Sequence, residues 1–151
     1  MYHLIATHSV FRYLLLMVLS VTIYLAWEGL FFNKKYAKKD RILAGATSGM
    51  SHIQLLLGFI LYFKSPVAQG FWADKSFRWT DNLFFGMVHF AMMTIAIILI
   101  TIGAAMAKRE TDDKKRYRII FQYFTVALLL ILIAIPWPFS PLAQRPFIRE
   151  F

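Results

Sequence analysis

Four long apolar blocks dominate this sequence and restrict what the chain can fold into. Each block holds about 20 to 25 residues, the length that a helix needs to cross about 30 Å of hydrocarbon. No block alternates strictly between apolar and polar residues, which argues against a β-barrel. We therefore predict an all-α fold in which four transmembrane helices form one antiparallel bundle and a single integral membrane domain, 1–151. The predicted helices cover about residues 10–32, 42–63, 83–107 and 119–139, and an outer tail covers residues 140–151.

The basic residues predict the orientation of this bundle in a membrane. The stretch "NKKYAKKDR" (33–41) holds five Lys and Arg residues, and "KRETDDKKRYR" (108–118) holds six, together eleven of the seventeen in the chain. Because positively charged loops stay on the cytoplasmic side, we expect both loops inside and both termini on the outer, periplasmic side. The prediction is a multi-pass protein of a bacterial inner membrane. This topology accounts for the net charge of +9 without a nucleic-acid partner.

Several functional classes lack the residues that they need. The chain contains no cysteine, which excludes disulfides, iron–sulfur clusters and thiolate metal sites. It contains no nucleophile elbow, P-loop or HExxH motif, so hydrolase and transferase activities have no support. Residues 1–9 contain no Lys or Arg and no small-x-small cleavage site follows the first block, so this block is not a cleavable signal peptide. With these classes excluded, we favour an electron carrier or a subunit of a complex over an independent enzyme.

Two histidines, His52 and His89, lie in the middle third of the second and third predicted helices. Each follows a glycine by three residues, Gly49 and Gly86, and positions three apart share a helix face. The missing side chain leaves room for a flat group beside each imidazole. We therefore predict one haem b between these two helices, with His52 and His89 as the ligands of its iron. Two strong axial ligands leave no open position, which favours single-electron transfer over oxygen chemistry.

His8 and Arg12 lie on one face of the first helix, because they are four residues apart in "HSVFR". Arg12 suits a haem propionate, since arginine pairs with carboxylates through a planar fork, although it can also reach the outer headgroups. His8 is a second candidate for the same propionate, or replaces His52 as the partner of His89. Either Gln54 or Ser51, which flank His52, is expected to hydrogen-bond the ring of His52 and fix its tautomer.

The two membrane histidines can also be explained without a cofactor. The segment "GATSG" (45–49) is a small-xxx-small motif that packs helices together, and histidine can hydrogen-bond across helices. The chain would then be a non-catalytic accessory subunit of a larger membrane complex, such as a respiratory one, or a homo-oligomer. A copper site formed by His8, His52 and His89 is a weaker alternative.

Three smaller expectations concern the helix ends. Glu28, near the inner end of the first helix, is expected to pair with a lysine of the next loop. Asp81 or Asn82 is expected to cap the third helix. Pro136 and Pro138, in "IPWPF", are expected to end the fourth helix near the outer surface.

The sequence also resembles a known family. The stretches "HSVFRY", "SHIQLLLGFILYF", "VHFAMM" and "IPWPF" are similar to the characteristic blocks of small four-helix bacterial membrane proteins commonly labelled cytochrome b or cytochrome-b-like. The resemblance covers nearly the whole chain and implies a haem protein whose matching histidines are His8, His52 and His89. The family commonly carries an acidic residue just before the third histidine, where this chain has Val88. A quinol or another redox carrier is the partner expected of such a cytochrome.

Overall fold

The computed structural model describes residues 2–74 and 77–147. Across these two ranges the protein is helical and contains no strand, which confirms the all-α prediction. Four of its helices are long and apolar enough to cross a membrane. Lys75, Ser76 and the last four residues of the predicted tail (148–151) lie outside the described residues. The helices are α1 (Tyr2–Phe31), α2 (Lys38–Lys64), α3 (Pro66–Asp74), α4 (Asp81–Arg109) and α5 (Asp113–Ala134).

The long helices extend beyond the predicted apolar blocks at several ends. Helix α1 begins at Tyr2 and not at about residue 10, because residues 2–9 contain neither proline nor glycine to stop it. Helix α5 begins at Asp113, where the side chain of Asp112 accepts the backbone N–H of Lys115 at 2.7 Å. Hydropathy identifies the part of a helix that crosses the membrane, whereas propensity and capping fix where the helix ends.

Helix α5 stops at Ala134, ahead of the two prolines that were expected to end it. Ile135 has extended backbone angles (φ −70°, ψ 129°). This is the conformation that a following proline favours, because the proline ring disfavours a helical residue before it. The predicted end at residue 139 therefore moves back to Ala134, and the segment from Ile135 to Phe147 has no helix.

Helix α3 was not predicted, although its start carries a recognisable signal. Ser65 has extended backbone angles (φ −84°, ψ 120°), and its carbonyl accepts the N–H of Gln69 at 3.0 Å. Pro66 follows at the first helical position, where its missing N–H costs nothing. A serine followed by a proline is thus a helix start here, and hydropathy alone does not detect it.

The cap of α4 lies one residue earlier than predicted. The hydroxyl of Thr80 accepts the backbone N–H of Leu83 at 3.4 Å, and Thr80 has the extended backbone of an N-cap residue. The prediction of Asp81 or Asn82 was therefore wrong. Asp81 occupies the first turn instead, where a carboxylate favours the positive end of the helix dipole.

Close contacts at glycines fix how the long helices are rotated against one another. A Cβ atom on Gly29 of α1 would come within 2.4 Å of the ring of Tyr117 in α5. A Cβ on Gly103 of α4 would come within 2.6 Å of the Cβ of Tyr123 in α5. Small residues that allow such close approach are typical of helix packing in membranes. Around these contacts a core of Leu19, Ile100, Phe124 and other apolar side chains is fully buried.

The two basic loops meet at one end of the bundle, which we call the loop end. The hydroxyl of Tyr117 donates at 3.1 Å to Asp40 or at 3.2 Å to the carbonyl oxygen of Lys35. Glu28 forms a 2.6 Å ion pair with Lys34, which confirms the pairing expected for that glutamate. The first residues of α1 and the segment after α5 lie together at the other end, which we call the cavity end.

Candidate cofactor site

A cavity of about 240 Å³ opens at the cavity end of the bundle. Residues of all five helices and of the segment after α5 line it, and its walls are mostly apolar. A cavity of about 150 Å³ is enough to admit benzene, so this one is large enough to receive part of an organic ligand. Its polar lining includes His8, Arg12, Gln54, His89 and Arg145.

His89 lies at the end of an irregular turn in α4. Residues Phe84–Val88 form a π-helical turn, and His89 resumes the α-helix directly after it. Such turns are rare and occur frequently at functional sites. A Cβ on Gly86 would come within 2.5 Å of the Cβ of Phe71, so α3 packs directly onto this turn. Gly86 was predicted to leave room for a cofactor, and in the structure Phe71 occupies that room.

The ring of His89 is held by the end of α5. Its Nδ1 lies 2.8 Å from the carbonyl oxygen of Ala134. A carbonyl oxygen can only accept, so Nδ1 carries the proton and Nε2 has a free lone pair. In a continued helix the N–H of residue 138 would bond to this oxygen, but residue 138 is Pro138 and has no N–H. Pro136 likewise has no N–H to donate to the carbonyl oxygen of Leu132. That oxygen instead accepts the indole N–H of Trp137 at 2.8 Å.

His8 faces the same cavity from α1 and contacts α2. The amide Nε2 of Gln54 lies 3.0 Å from the backbone oxygen of His8 and 3.4 Å from its Nε2. A Cβ on Gly58 would lie 3.4 Å from the ring, so the ring of His8 lies against α2 at this position. Gln54 or Ser51 was expected to bond the ring of His52, but the structure pairs Gln54 with His8, and the hydroxyl of Ser51 donates to the carbonyl oxygen of Ser48 at 2.7 Å.

Buried polar atoms without a hydrogen-bond partner concentrate around this cavity. In the described part of the chain five such side-chain atoms occur, and four belong to residues that line it. Buried polar groups in folded proteins are almost always paired, so each exception requires an explanation. A ligand in the cavity supplies one explanation for all four. The atoms are Nδ1 of His8, Nε of Arg12, Oε1 of Gln54 and Nε of Arg145.

His52 does not line the cavity and its side chain is exposed on the outside of the bundle. Its Nε2 lies 2.9 Å from the hydroxyl of Thr101. That hydroxyl already donates to the carbonyl oxygen of Ile97 at 2.7 Å, so Nε2 of His52 must donate and carries the proton. A Cβ on Gly49 would meet nothing within 4 Å, so this position is open to the surroundings of the bundle.

The structure thus brings together three of the predicted site residues, His8, Arg12 and His89, and adds Arg145, which the sequence did not single out. His52 and Gly49 lie elsewhere. Over residues 2–74 and 77–147 there is no group of three or more His, Asp or Glu side chains that could hold a metal ion, so the three-histidine copper site is not assembled there.

No protein-family model, curated protein or solved structure matches this chain. The resemblance to cytochrome-b-like proteins therefore stays a prediction, and the function has to be argued from the cavity itself.

Proposed function

We propose that this protein is a membrane b-type cytochrome that binds one haem in the cavity, with His8 and His89 as the two iron ligands. The proposal takes up the ligand pair that the sequence offered as an alternative to His52 and His89. The observation that carries it is the hydrogen bond from Nδ1 of His89 to the Ala134 carbonyl, which leaves Nε2 unprotonated. Histidines that bind metals almost always donate their other ring N–H to such an acceptor.

The remaining walls of the cavity suit a flat, largely apolar group. Phe59, Tyr62, Phe85 and Phe90 contribute aromatic rings to its lining. The ring of His8 has a long 3.4 Å contact with Gln54 through Nε2, while its Nδ1 is buried without a partner and is the nitrogen available to a ligand. When bound, a haem with two histidine ligands supplies single-electron transfer without an open coordination position. The residues of this chain bind and orient it and exclude water.

The proposal includes an orientation in the membrane. The helices would be antiparallel, with the loop end on the cytoplasmic side and the cavity end on the outer side of a bacterial inner membrane. The meeting of the two basic loops supports this, because eleven of seventeen Lys and Arg residues then lie on one side. Electrons would pass between a quinol or another carrier and a partner near the outer surface.

The test is an optical spectrum of the purified full-length protein, oxidised and then reduced with dithionite, before and after haem is added. We expect a sharp reduced band of the low-spin type that two histidine ligands produce. His89→Ala should abolish it, and His3→Ala, a histidine that does not line the cavity, should not. A wild-type protein that stays colourless after haem is added would overturn the proposal.

A second candidate function is that of a subunit in a larger membrane complex. The exposed side chain of His52 and the open surface at Gly45 and Gly49 favour it, because a polar ring exposed to hydrocarbon is costly unless a partner covers it. The native size of the protein in mild detergent tests this candidate. Gly49→Leu should reduce a larger assembly to the single chain, and an unchanged size would rule out this face as the contact.

A further inference from the structure

The segment after α5, residues 135–147, folds back across the cavity end of the bundle. We call this segment the tail strap. The indole of Trp79 donates to the carbonyl oxygen of Leu142 at 2.9 Å. The hydroxyl of Tyr13 donates to the carbonyl oxygen of Phe147 at 2.8 Å. The strap is therefore tied both to the start of α4 and to α1, and it brings Arg145 to the cavity.

Arg12 lines the cavity from α1 with its charge facing only neutral acceptors among the described residues. Its Nη2 lies 3.3 Å from the hydroxyl of Ser9, 3.0 Å from that of Tyr13 and 3.2 Å from the carbonyl oxygen of Phe147. Its Nε is buried and has no hydrogen-bond partner. A charged group inside a membrane span ordinarily has a partner of opposite charge or a function.

Arg145 lines the same cavity from the strap and, although its charge is paired, shares the unused Nε of Arg12. Its Nη2 pairs with the carboxylate of Asp81, whose side chain is half exposed. Its guanidinium lies 5.0 Å from the centre of the Phe85 ring, which also lines the cavity. Its Nε, like that of Arg12, is buried without a partner. Two arginines from opposite ends of the chain therefore each leave the same donor unused beside one cavity.

We propose that Arg12 and Arg145 form a carboxylate-binding subsite of this cavity. An arginine holds a carboxylate most strongly through two parallel N–H bonds, and the edge formed by Nε and one Nη is one edge that can make them. In both residues Nε is buried and unused while Nη2 already bonds other acceptors, so each arginine keeps at least one further donor for an anion. This inference rests on the proposed function, under which the carboxylates are the two propionates of haem.

The subsite gives the tail strap a role. Because Arg145 belongs to the strap and Arg12 to α1, a ligand that binds both ties the strap to the bundle. The strap has no helix, and it is held by the buried side chains of Ile135 and Ala143, by hydrogen bonds and by one ion pair.

The test compares haemin with its dimethyl ester, in which both carboxylates are masked. Each form is titrated into the full-length protein without haem, and binding is followed by absorption. We expect the wild type to bind haemin at least about tenfold more tightly than the ester, since a hydrogen bond to a charged group is worth about that factor. Arg12→Gln and Arg145→Gln should each weaken haemin binding about tenfold and leave ester binding unchanged.

Controls separate this subsite from general damage and from the proposed function. Arg118→Gln, in the basic segment at the loop end, should leave both affinities unchanged. Arg145→Lys keeps the charge without the fork and should retain only part of the preference for haemin. Equal binding of haemin and ester by the wild type overturns the subsite alone. Binding of neither form overturns the proposed function and the subsite together.

Discussion

The two ends of this bundle treat their buried polar groups differently. At the loop end Asp40 is 8% exposed, and its carboxylate accepts both the N–H of Ala37, at 2.8 Å, and the hydroxyl of Tyr117. The small cavity beside it measures about 10 Å³. At the cavity end about 240 Å³ stays open, and four polar atoms of its lining residues are unpaired.

The contrast supports the proposal that the cavity end is the functional one. The same short chain closes its loop end tightly and pairs the polar groups there, so an open and unpaired region at the other end is not a general property of the fold. Natural proteins depart from complete packing and pairing mainly at sites of function. Variants at each end test whether the two ends differ in this way, and the largest expected changes in stability come first.

The largest stability effect is expected from Gly29→Ala at the loop end. The new Cβ would lie 2.4 Å from the Tyr117 ring, so the helices must separate or the ring must move. We expect a loss of about 1–3 kcal/mol in the free energy of unfolding, which is the usual cost of overpacking. The measurement is thermal unfolding of the protein in detergent.

Gly49→Ala is the matched control for that change. Both are helix glycines, but a Cβ on Gly49 meets nothing within 4 Å. We expect no loss, and a gain of up to about 0.5–1 kcal/mol because alanine is the better helix former. If the two variants unfold at the same temperature, the close contact at the loop end is not what fixes the helix packing.

Next in size is a comparison of Tyr117→Phe with Gln54→Leu. Tyr117→Phe removes a hydroxyl that contacts the buried Asp40, but Asp40 keeps the N–H of Ala37, so we expect a loss of about 1–2 kcal/mol. Gln54→Leu removes an unpaired acceptor together with one bond to the His8 carbonyl, so we expect less than about 1 kcal/mol without ligand. Unfolding in urea with and without haem measures both. A larger loss in Gln54→Leu without haem would show that the cavity end is as tightly coupled as the loop end.

The smallest effect concerns pH and Glu110, in the loop between α4 and α5. Hydrogen bonds from the backbone N–H groups of Asp112 and Thr111 lower the pKa of this carboxyl below 4.5. Because the folded-state pKa is the lower one, the stabilisation is present above the unfolded pKa and is lost as the pH falls through the folded pKa.

The test for Glu110 is the unfolding temperature between about pH 3 and pH 6 for the wild type and Glu110→Gln. The wild type should lose more stability toward acid than the variant, which has no carboxylate to titrate. Parallel curves for the two proteins would show that these hydrogen bonds do not favour the charged form.

The sequence predicts the helices of this protein better than it predicts their contacts. The four apolar blocks, the Glu28–Lys34 pair and the end of α5 before Pro136 all follow from local rules of hydropathy, charge and proline geometry. Local rules at Ser65 and Pro66 also predict the start of helix α3. Hydropathy does not detect this helix, because it is too short to cross a membrane.

The residues that line the cavity could not be predicted from local rules. The depth of a histidine in a membrane follows from its position in the chain, but the direction in which it points follows from helix rotation. Packing of Gly103 against α5 restricts the rotation of α4, whose His89 lines the cavity. On α2 the buried hydrogen bond between Thr47 and Thr22 faces α1, and His52 stays on the outside. The place of Arg145 at the cavity could not be predicted, because it lies in a tail whose path over the bundle only the folded structure defines.

One signal for the site was present in the sequence but not used. Pro138 lies four residues after Ala134, so the carbonyl of Ala134 lacks a helical donor and can hold the ring of His89. A proline pair at the end of a membrane helix therefore marks carbonyl oxygens that side chains of a neighbouring helix can use.

The most direct test of the account compares His8→Ala with His52→Ala in a haem titration followed by optical and electron paramagnetic resonance spectra. We expect His52→Ala to keep the affinity and the low-spin signal of the wild type. We expect His8→Ala to lose the low-spin signal, because one of the two iron ligands is gone. A low-spin signal that survives in His8→Ala and disappears in His52→Ala would contradict the assignment of the cavity as the haem site.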